Sequence, residues 1–177
     1  QGSPLYHVLG QNIGLGALLA GDTLVLLPSM SIDTVLEAID RYRITTLFGT
    51  PTFFRMILEH PTVDQYDLSS LIWCYTGGDY LPPALIDRWQ QKVGRYIYQG
   101  LGATEASGGI TMTPAEGKIP DGTVGKPLPV WKVKLIDPDS METVGPPGQG
   151  ELLISSDCMV RSYWNKPEET AELFLTL

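Results

Sequence analysis

Between Asn12 and Gln99 the chain alternates short apolar runs with helix-like segments, and this alternation constrains the fold more than any other feature. Residues 23–27, 45–48, 71–75 and 96–98 read as four strands. Residues 12–20 carry Ile13, Leu15, Leu18 and Leu19 at helical spacing, with Gly21 as the stop. Residues 33–43 repeat the pattern with Val35, Leu36, Ile39 and Tyr42, and Asp33 is the expected N-cap. Thr50-Pro51 opens a helix that reaches about Glu59. Pro82-Pro83 opens another, whose apolar face is Leu85, Ile86, Trp89 and Val93, and Gly94 ends it. Strands joined by helices require crossover connections, so the expected class is α/β, a mostly parallel sheet with flanking helices. Ligands of such sheets bind beyond the carboxyl ends of the strands. Two glycine-bearing loops, 76–79 and 99–105, fall there.

The texture changes near Thr113. Residues 114–127 are rich in proline, glycine and charge, residues 130–137 alternate, Pro138-Asp139-Ser140 reads as a turn, and residues 150–155 read as another strand. A small antiparallel segment, part of a barrel, is expected there. Pro167-Glu168-Glu169 then starts a helix, with its acids near the positive end of the helix dipole. The expected division is an α/β part over 1–113 and a β-rich part over 114–177 that includes the start of a further helix.

Hydrophobic residues make up 43% of the 177 and charged ones 18%, a balance that supplies a core and excludes a disordered chain. A net charge of −8 argues against nucleic acid or anionic membranes as partners, since both need clustered cations. It leaves a nucleotide open, because a few loop amides hold phosphate without overall positive charge. Cys74 and Cys158 are the only cysteines, too few for a disulfide framework or a zinc site. Both read as core filler in a reducing, cytoplasmic setting. Gln1-Gly2-Ser3-Pro4 does not open a signal peptide, and the apolar stretch 13–27 is broken by Gly14, Gly16, Gly21 and Asp22, so no membrane span is expected. The chain starts and stops within patterned sequence, Phe174-Leu175-Thr176-Leu177 at its end, which reads as an internal fragment of a longer protein.

Gln99-Gly100-Leu101-Gly102-Ala103-Thr104-Glu105 is the strongest local signal. Glycines let the backbone approach a ligand, a threonine hydroxyl can bond a phosphate oxygen, and a carboxylate can hold Mg2+ directly or through water. Alone, the same string also describes a turn that ends in a solvated acid. It lacks the third glycine of a dinucleotide fingerprint, and no Gly-x-x-x-x-Gly-Lys-Ser/Thr loop occurs anywhere in the chain.

Five segments in order resemble the adenylate-forming (AMP-binding) superfamily of acyl-CoA synthetases, luciferases and peptide-synthetase adenylation domains. They are Pro4-Leu5-Tyr6-His7, Thr76-Gly77-Gly78-Asp79-Tyr80-Leu81-Pro82-Pro83, Tyr98-Gln99-Gly100-Leu101-Gly102-Ala103-Thr104-Glu105, Gly122-Thr123-Val124-Gly125-Lys126-Pro127, and Gly150-Glu151-Leu152-Leu153-Ile154 continuing to Tyr163-Trp164-Asn165-Lys166-Pro167-Glu168-Glu169-Thr170. The resemblance covers essentially the whole chain.

It implies that Thr104 contacts phosphate and that Glu105 helps hold Mg2+. Gly77, Gly78 and Asp79 would line the adenine pocket and border the acyl site. Gln99, Gly100, Leu101, Gly102 and Ala103 would form the loop between adenine and the carboxylate, and His7 would sit beside the acyl pocket and the pantetheine tunnel. Taken on the residues alone, His7 also suits a hydrogen-bonded core position, and Asp79 a turn that satisfies nearby amides. Leu101 stands where many relatives carry an aromatic residue, which removes a face-on stacking contribution of about 0.5–1.5 kcal/mol.

The resemblance further implies a carboxylic acid, ATP and CoA as substrates, with the family's phosphate-embracing lysine loop upstream of Gln1 and its ribose-binding aspartate and lysine-bearing C-terminal domain downstream of Leu177. The chain alone is then expected to be inactive. The segments near His7, residues 48–53 and Gly77-Gly78 are apolar and offer no charged partner for an amino acid, which favours a medium or long fatty acid, with an aromatic acid as the alternative. A non-catalytic binding module, self-associating through exposed truncated surfaces, is the rival from another class. A hydrolase built on His7 lacks its Gly-x-Ser-x-Gly elbow.

Overall fold

The computed structural model describes residues 4–115 and 119–175. Gln1, Gly2 and Ser3, Glu116, Gly117 and Lys118, and Thr176 and Leu177 lie outside the described residues, and with them parts of the readings made for the two termini and for 114–127.

Helix α1 (Val8–Ala20) begins four residues earlier than its apolar periodicity, directly after the Pro4-Leu5-Tyr6-His7 string. Gly21 ends it in the left-handed conformation at φ 78°, as expected. Helix α2 (Ile32–Tyr42) buries Ile32, Val35, Leu36, Ala38 and Ile39. Its N-cap is Ser31, whose hydroxyl accepts from the Thr34 N–H, and not Asp33, which lies inside the first turn. Strand β1 (Thr46–Gly49) leads into α3 (Pro51–Leu58), capped by Thr50 as its sequence requires. After a single 3-10 turn (Val63–Gln65) come β2 (Trp73–Thr76), α4 (Pro83–Val93) and β3 (Ile97–Gln99).

These strands form a parallel sheet in the order β1-β2-β3. Their register aligns Gly49, Thr76 and Gln99 in one row, so all three strands end level at the carboxyl edge. Strand side chains alternate between faces. On one face Leu47, Cys74 and Ile97 join Val35, Leu36, Ile39, Phe54, Ile57, Leu85 and Trp89 in the main core. Trp89 and Phe54 are both fully buried and meet edge-on with ring centroids 4.9 Å apart. Burial pushes the Cys74 thiol up to about 11, so this cysteine is inert filler, as expected. Cys158 is exposed, against its reading as core filler, because the loop that carries it runs over the surface. On the opposite face Trp73 stacks on Tyr75 with centroids 6.2 Å apart, and Tyr98 tilts against both.

One of the four expected strands, the first, is missing. Residues 23–27 have strand composition but form no ladder, and a cavity of 820 Å³ lies between them and β1, lined by Val25, Leu27, Ile39, Leu47 and Trp73. A strand needs a partner within about 4.7–4.9 Å, and propensity cannot replace one.

Beyond β3 the chain forms two-stranded antiparallel ladders: β4 (Gly102–Ala103) with β5 (Gly108–Gly109), β6 (Thr111–Met112) with β7 (Lys126–Pro127), and β8 (Lys132–Ile136) with β9 (Glu151–Ser155). A second core gathers Ala106, Ile110 and Trp131 with the half-buried Leu128, Val133, Ile154 and Met159. Trp131 is tolerated there because its indole N–H donates to the Gly109 carbonyl at 2.8 Å. Helix α5 (Pro167–Leu173) starts where Pro167 and its acids place it. No helix among the described residues is long and apolar enough to cross a membrane.

Truncating Trp89 or Phe54 to alanine should cost about 3–5 kcal/mol, because neither cavity can collapse against the sheet. Urea denaturation measures this, and an unchanged midpoint would contradict the packing described.

Candidate functional site

The level strand ends bring the two glycine loops side by side. β2 delivers Gly77, which is buried, then Gly78 at φ 84° and the exposed Asp79. A Cβ on Gly77 would lie 3.2 Å from the Gly100 carbonyl, closer than side chains normally pack, so the absence of a side chain there lets the loops touch. Gln99 is not a loop residue as expected. It is the last residue of β3, buried, and its amide Nε2 donates to the Asp79 carbonyl at 3.2 Å, linking one loop to the other. The Asp79 carboxylate accepts from the Tyr80 N–H at 2.7 Å, the local turn bond considered for it. Beneath both loops the buried Thr76 hydroxyl has no hydrogen-bond partner among the described residues.

The second loop is held by two threonines that the sequence reading did not single out. The Gln99 N–H donates to Thr113 Oγ1 at 2.9 Å, and the Leu101 N–H to Thr111 Oγ1 at 3.1 Å. The Thr113 N–H returns a bond to the Gln99 carbonyl at 2.8 Å, and the Thr111 hydroxyl donates onward to the Val124 carbonyl at 2.6 Å. The Gly100 N–H donates to the Thr76 carbonyl at 3.0 Å. Residue 100 must be glycine, because a Cβ would meet the Thr111 carbonyl at 2.6 Å. The available signal was the alternation Thr111-Met112-Thr113, which turns both hydroxyls to the same side. Leu101 is 36% exposed, an apolar side chain at the open lip of the loop.

Past Gly102 and Ala103, which form β4, the loop turns and presents Thr104 and Glu105. Thr104 is exposed, and its hydroxyl makes no hydrogen bond among the described residues. Glu105 is half-buried and accepts a 2.6 Å bond from the Tyr163 hydroxyl at Oε1. That bond, with a contribution from its own backbone N–H, holds the Glu105 carboxyl below the usual glutamate range, and the same bond raises the Tyr163 phenol. An ionised carboxylate offers about four acceptor positions, so the tyrosine leaves others open.

No group of three or more His, Cys, Asp or Glu able to hold a metal exists among the described residues. A lone carboxylate still fits Mg2+, which keeps several waters and takes one or two carboxylates together with substrate phosphates. The donor set therefore suits a metal that arrives with a nucleotide.

His7 stands apart from this cluster. It is exposed, not a core histidine, and caps α1 by accepting from the Leu9 N–H at its Nδ1 (3.2 Å). No hydrogen bond or ion pair joins it to either loop among the described residues. Its helix does reach the second loop, because the Asn12 amide donates to the Ser107 carbonyl.

The family described as "AMP-binding enzyme" matches residues 1–164. Curated relatives include a long-chain-fatty-acid–CoA ligase of Bacillus subtilis, 31% identical over 95% of this chain and 30% of its own length. A feruloyl-CoA synthase of an Amycolatopsis species is 36% identical over 97% of this chain and 35% of its own. Among solved structures, an anthranilate CoA ligase in complex with anthranoyl-AMP superposes with a TM-score of 0.87 at 30% identity, covering 95% of this chain and 33% of that one. The chain thus spans about a third of the length of the proteins it matches.

Gly100→Ala should destabilise the protein by about 1–3 kcal/mol through overpacking and speed amide exchange at Gln99 and Leu101. Gly16→Ala in α1, where a Cβ meets nothing within 4 Å, should instead be neutral or stabilising. Equal effects would contradict the close approach. Because the folded Glu105 value is depressed, its stabilising contribution is complete above the ordinary glutamate pKa and is lost as pH falls through the lowered one. Tyr163→Phe should move the Glu105 side-chain titration upward toward the ordinary value, read from its 13Cδ shift, and an unmoved midpoint would contradict the bond.

Proposed function

The chain belongs to the AMP-binding enzyme family, and from that premise we propose that it is part of an ATP-dependent carboxylate–CoA ligase. The observation that carries the reading is the junction of the two loops at the carboxyl edge, where Gln99 Nε2 reaches the Asp79 carbonyl and Gly77 abuts Gly100. In the proposed reaction a carboxylate oxygen attacks the α-phosphorus of ATP and pyrophosphate departs. The thiol sulfur of CoA then attacks the acyl carbon and AMP departs.

In the proposed reaction the site residues take these roles. Thr104, exposed with an uncommitted hydroxyl, donates to a phosphate oxygen. Glu105, ionised and half-buried, is the residue that would hold Mg2+. When bound, that ion would neutralise charge on the phosphates. Gly77, Gly78 and Asp79 form one wall of the adenine pocket. Gln99, Gly100, Leu101, Gly102 and Ala103 form the partition between adenine and the carboxylate, with Leu101 covering the base by apolar contact. His7, at the start of α1, faces the acyl and pantetheine side.

The acid we propose is a medium or long fatty acid. Phe48 and Phe53 are buried, and neither brings a charge to the strand end where the acyl group would lie. The matched relatives include both a fatty-acid ligase and a feruloyl ligase, so an aromatic acid is the specific competitor. At about a third of its relatives' length, this chain leaves charge on the transferring phosphoryl without the remaining family elements, and we propose that it is inactive by itself.

Pyrophosphate exchange into ATP by the longer polypeptide, with fatty acids of graded length, benzoate and ferulate, tests the reading. Exchange should require a carboxylate, peak with one fatty-acid length, and vanish in Glu105→Ala and in the 177-residue chain. Exchange that no carboxylate supports would overturn the ligase assignment, and a peak with ferulate would overturn the fatty-acid choice.

A further inference from the structure

The segment after β9 has no role in the function proposed above, yet it makes three separate connections to the loop that carries Thr104 and Glu105. The Val160 N–H donates to the Glu105 carbonyl at 3.0 Å. The Ser107 hydroxyl donates to the Cys158 carbonyl at 2.6 Å. The Tyr163 hydroxyl donates to Glu105 Oε1 at 2.6 Å, across 58 residues of sequence.

Tyr163 is itself anchored. Its N–H donates to Thr170 Oγ1 at 3.0 Å, and that hydroxyl donates to the Lys166 carbonyl at the start of α5. Its ring meets Phe174 edge-on at a centroid distance of 5.9 Å. The backbone bond at Val160 fixes where Glu105 sits, and the phenol fixes where its carboxylate points. A glutamate side chain otherwise has three rotatable bonds to restrain, and a half-exposed one would sample many rotamers.

We propose that Tyr163 is a positioning residue for Glu105, its hydroxyl holding Oε1 so that the rest of the carboxylate is aimed at the cation that accompanies the nucleotide. The proposal rests on the reading of Glu105 as the Mg2+-holding residue, and it assigns to the segment 156–163 and the start of α5 a part in the site rather than in packing alone. Tyr163 touches neither nucleotide nor acid in this scheme and acts through Glu105.

The test uses Tyr163→Phe, which keeps the ring contact with Phe174 and removes only the hydroxyl, beside Glu105→Gln, which keeps an acceptor for the tyrosine and removes the charge. In the 177-residue chain, 13C relaxation of the side-chain methylenes at position 105 is the first readout. It should report an ordered side chain in the parent sequence and in Glu105→Gln, and a mobile one in Tyr163→Phe. In the longer polypeptide, water-proton relaxation reads the binding of Mn2+ with ATP, independently of turnover. It should weaken about tenfold in Tyr163→Phe, the factor that one hydrogen bond to a charged group carries, and more in Glu105→Gln. Unchanged order at Glu105 in Tyr163→Phe, or unchanged Mn2+–ATP binding in that variant while Glu105→Gln loses it, would overturn the proposal. If Tyr163→Phe loosens Glu105 but Glu105→Gln still binds Mn2+–ATP normally, the metal-holding reading fails while the hydrogen bond stands, and the aiming role falls with it. Should Tyr163→Phe lose its fold by circular dichroism, Thr170→Val, which frees the Tyr163 backbone, takes its place with the same expected loss of order.

Discussion

The structure depends on how residues 99–101 are bound to residues 111–113. Two threonine hydroxyls and the main-chain bonds beside them hold the chain where it leaves the parallel sheet. Glycine at 100 is required because the two backbones are too close to admit a Cβ. The same short segment completes both halves of the molecule. On one side Gln99 ends the sheet and reaches Asp79. On the other, β6 pairs with β7, and the Leu128 N–H donates to the Ile110 carbonyl above the second core. A loop that carries Thr104 and Glu105 is therefore rooted in two packed layers, which restrains where those two residues can stand.

The two loops hold two acidic side chains, Asp79 and Glu105, and no basic one, the same sign as the overall charge. A chain of net −8 has little general attraction for a polyanion, so under the proposed function a nucleotide would be met by local amides and hydroxyls. The two loops supply these in small number, and Glu105 adds a negative group whose ionisation is reinforced by Tyr163. Under the proposed function, Glu105 would stand beside a phosphate, and a cation between the two would offset their repulsion, which is the role proposed for Mg2+.

Much of the fold was legible because local chemistry and global packing agreed. Thr50-Pro51, Gly21, Gly94 and Pro167 mark helix ends where the structure has them. The parallel sheet followed from helices of sufficient length between apolar runs. Residues 23–27 misled because strand composition describes a side-chain preference, and a strand exists only where a neighbour completes its ladder. Asp33 misled because Ser31 and Asp33 are both good caps, and the choice between them is set by where Ile32 must enter the core. The glycine loops could be read from their own residues. Thr111 and Thr113 showed only as an alternation and Tyr163 not at all, since their partners lie 10, 14 and 58 residues away and no local pattern names those partners.

Amide hydrogen exchange in Thr111→Val tests the central claim most directly. Valine matches the shape of threonine, but it removes the acceptor for the Leu101 N–H and the donor to the Val124 carbonyl. The Leu101 amide should exchange on the order of tenfold faster or more, as for loss of a buried bond, with smaller increases at residues 77–80 transmitted through Gln99. If Leu101 stays as protected as before and the first loop is unmoved, the two loops are held together by something other than the threonine contacts, and the account fails at its root.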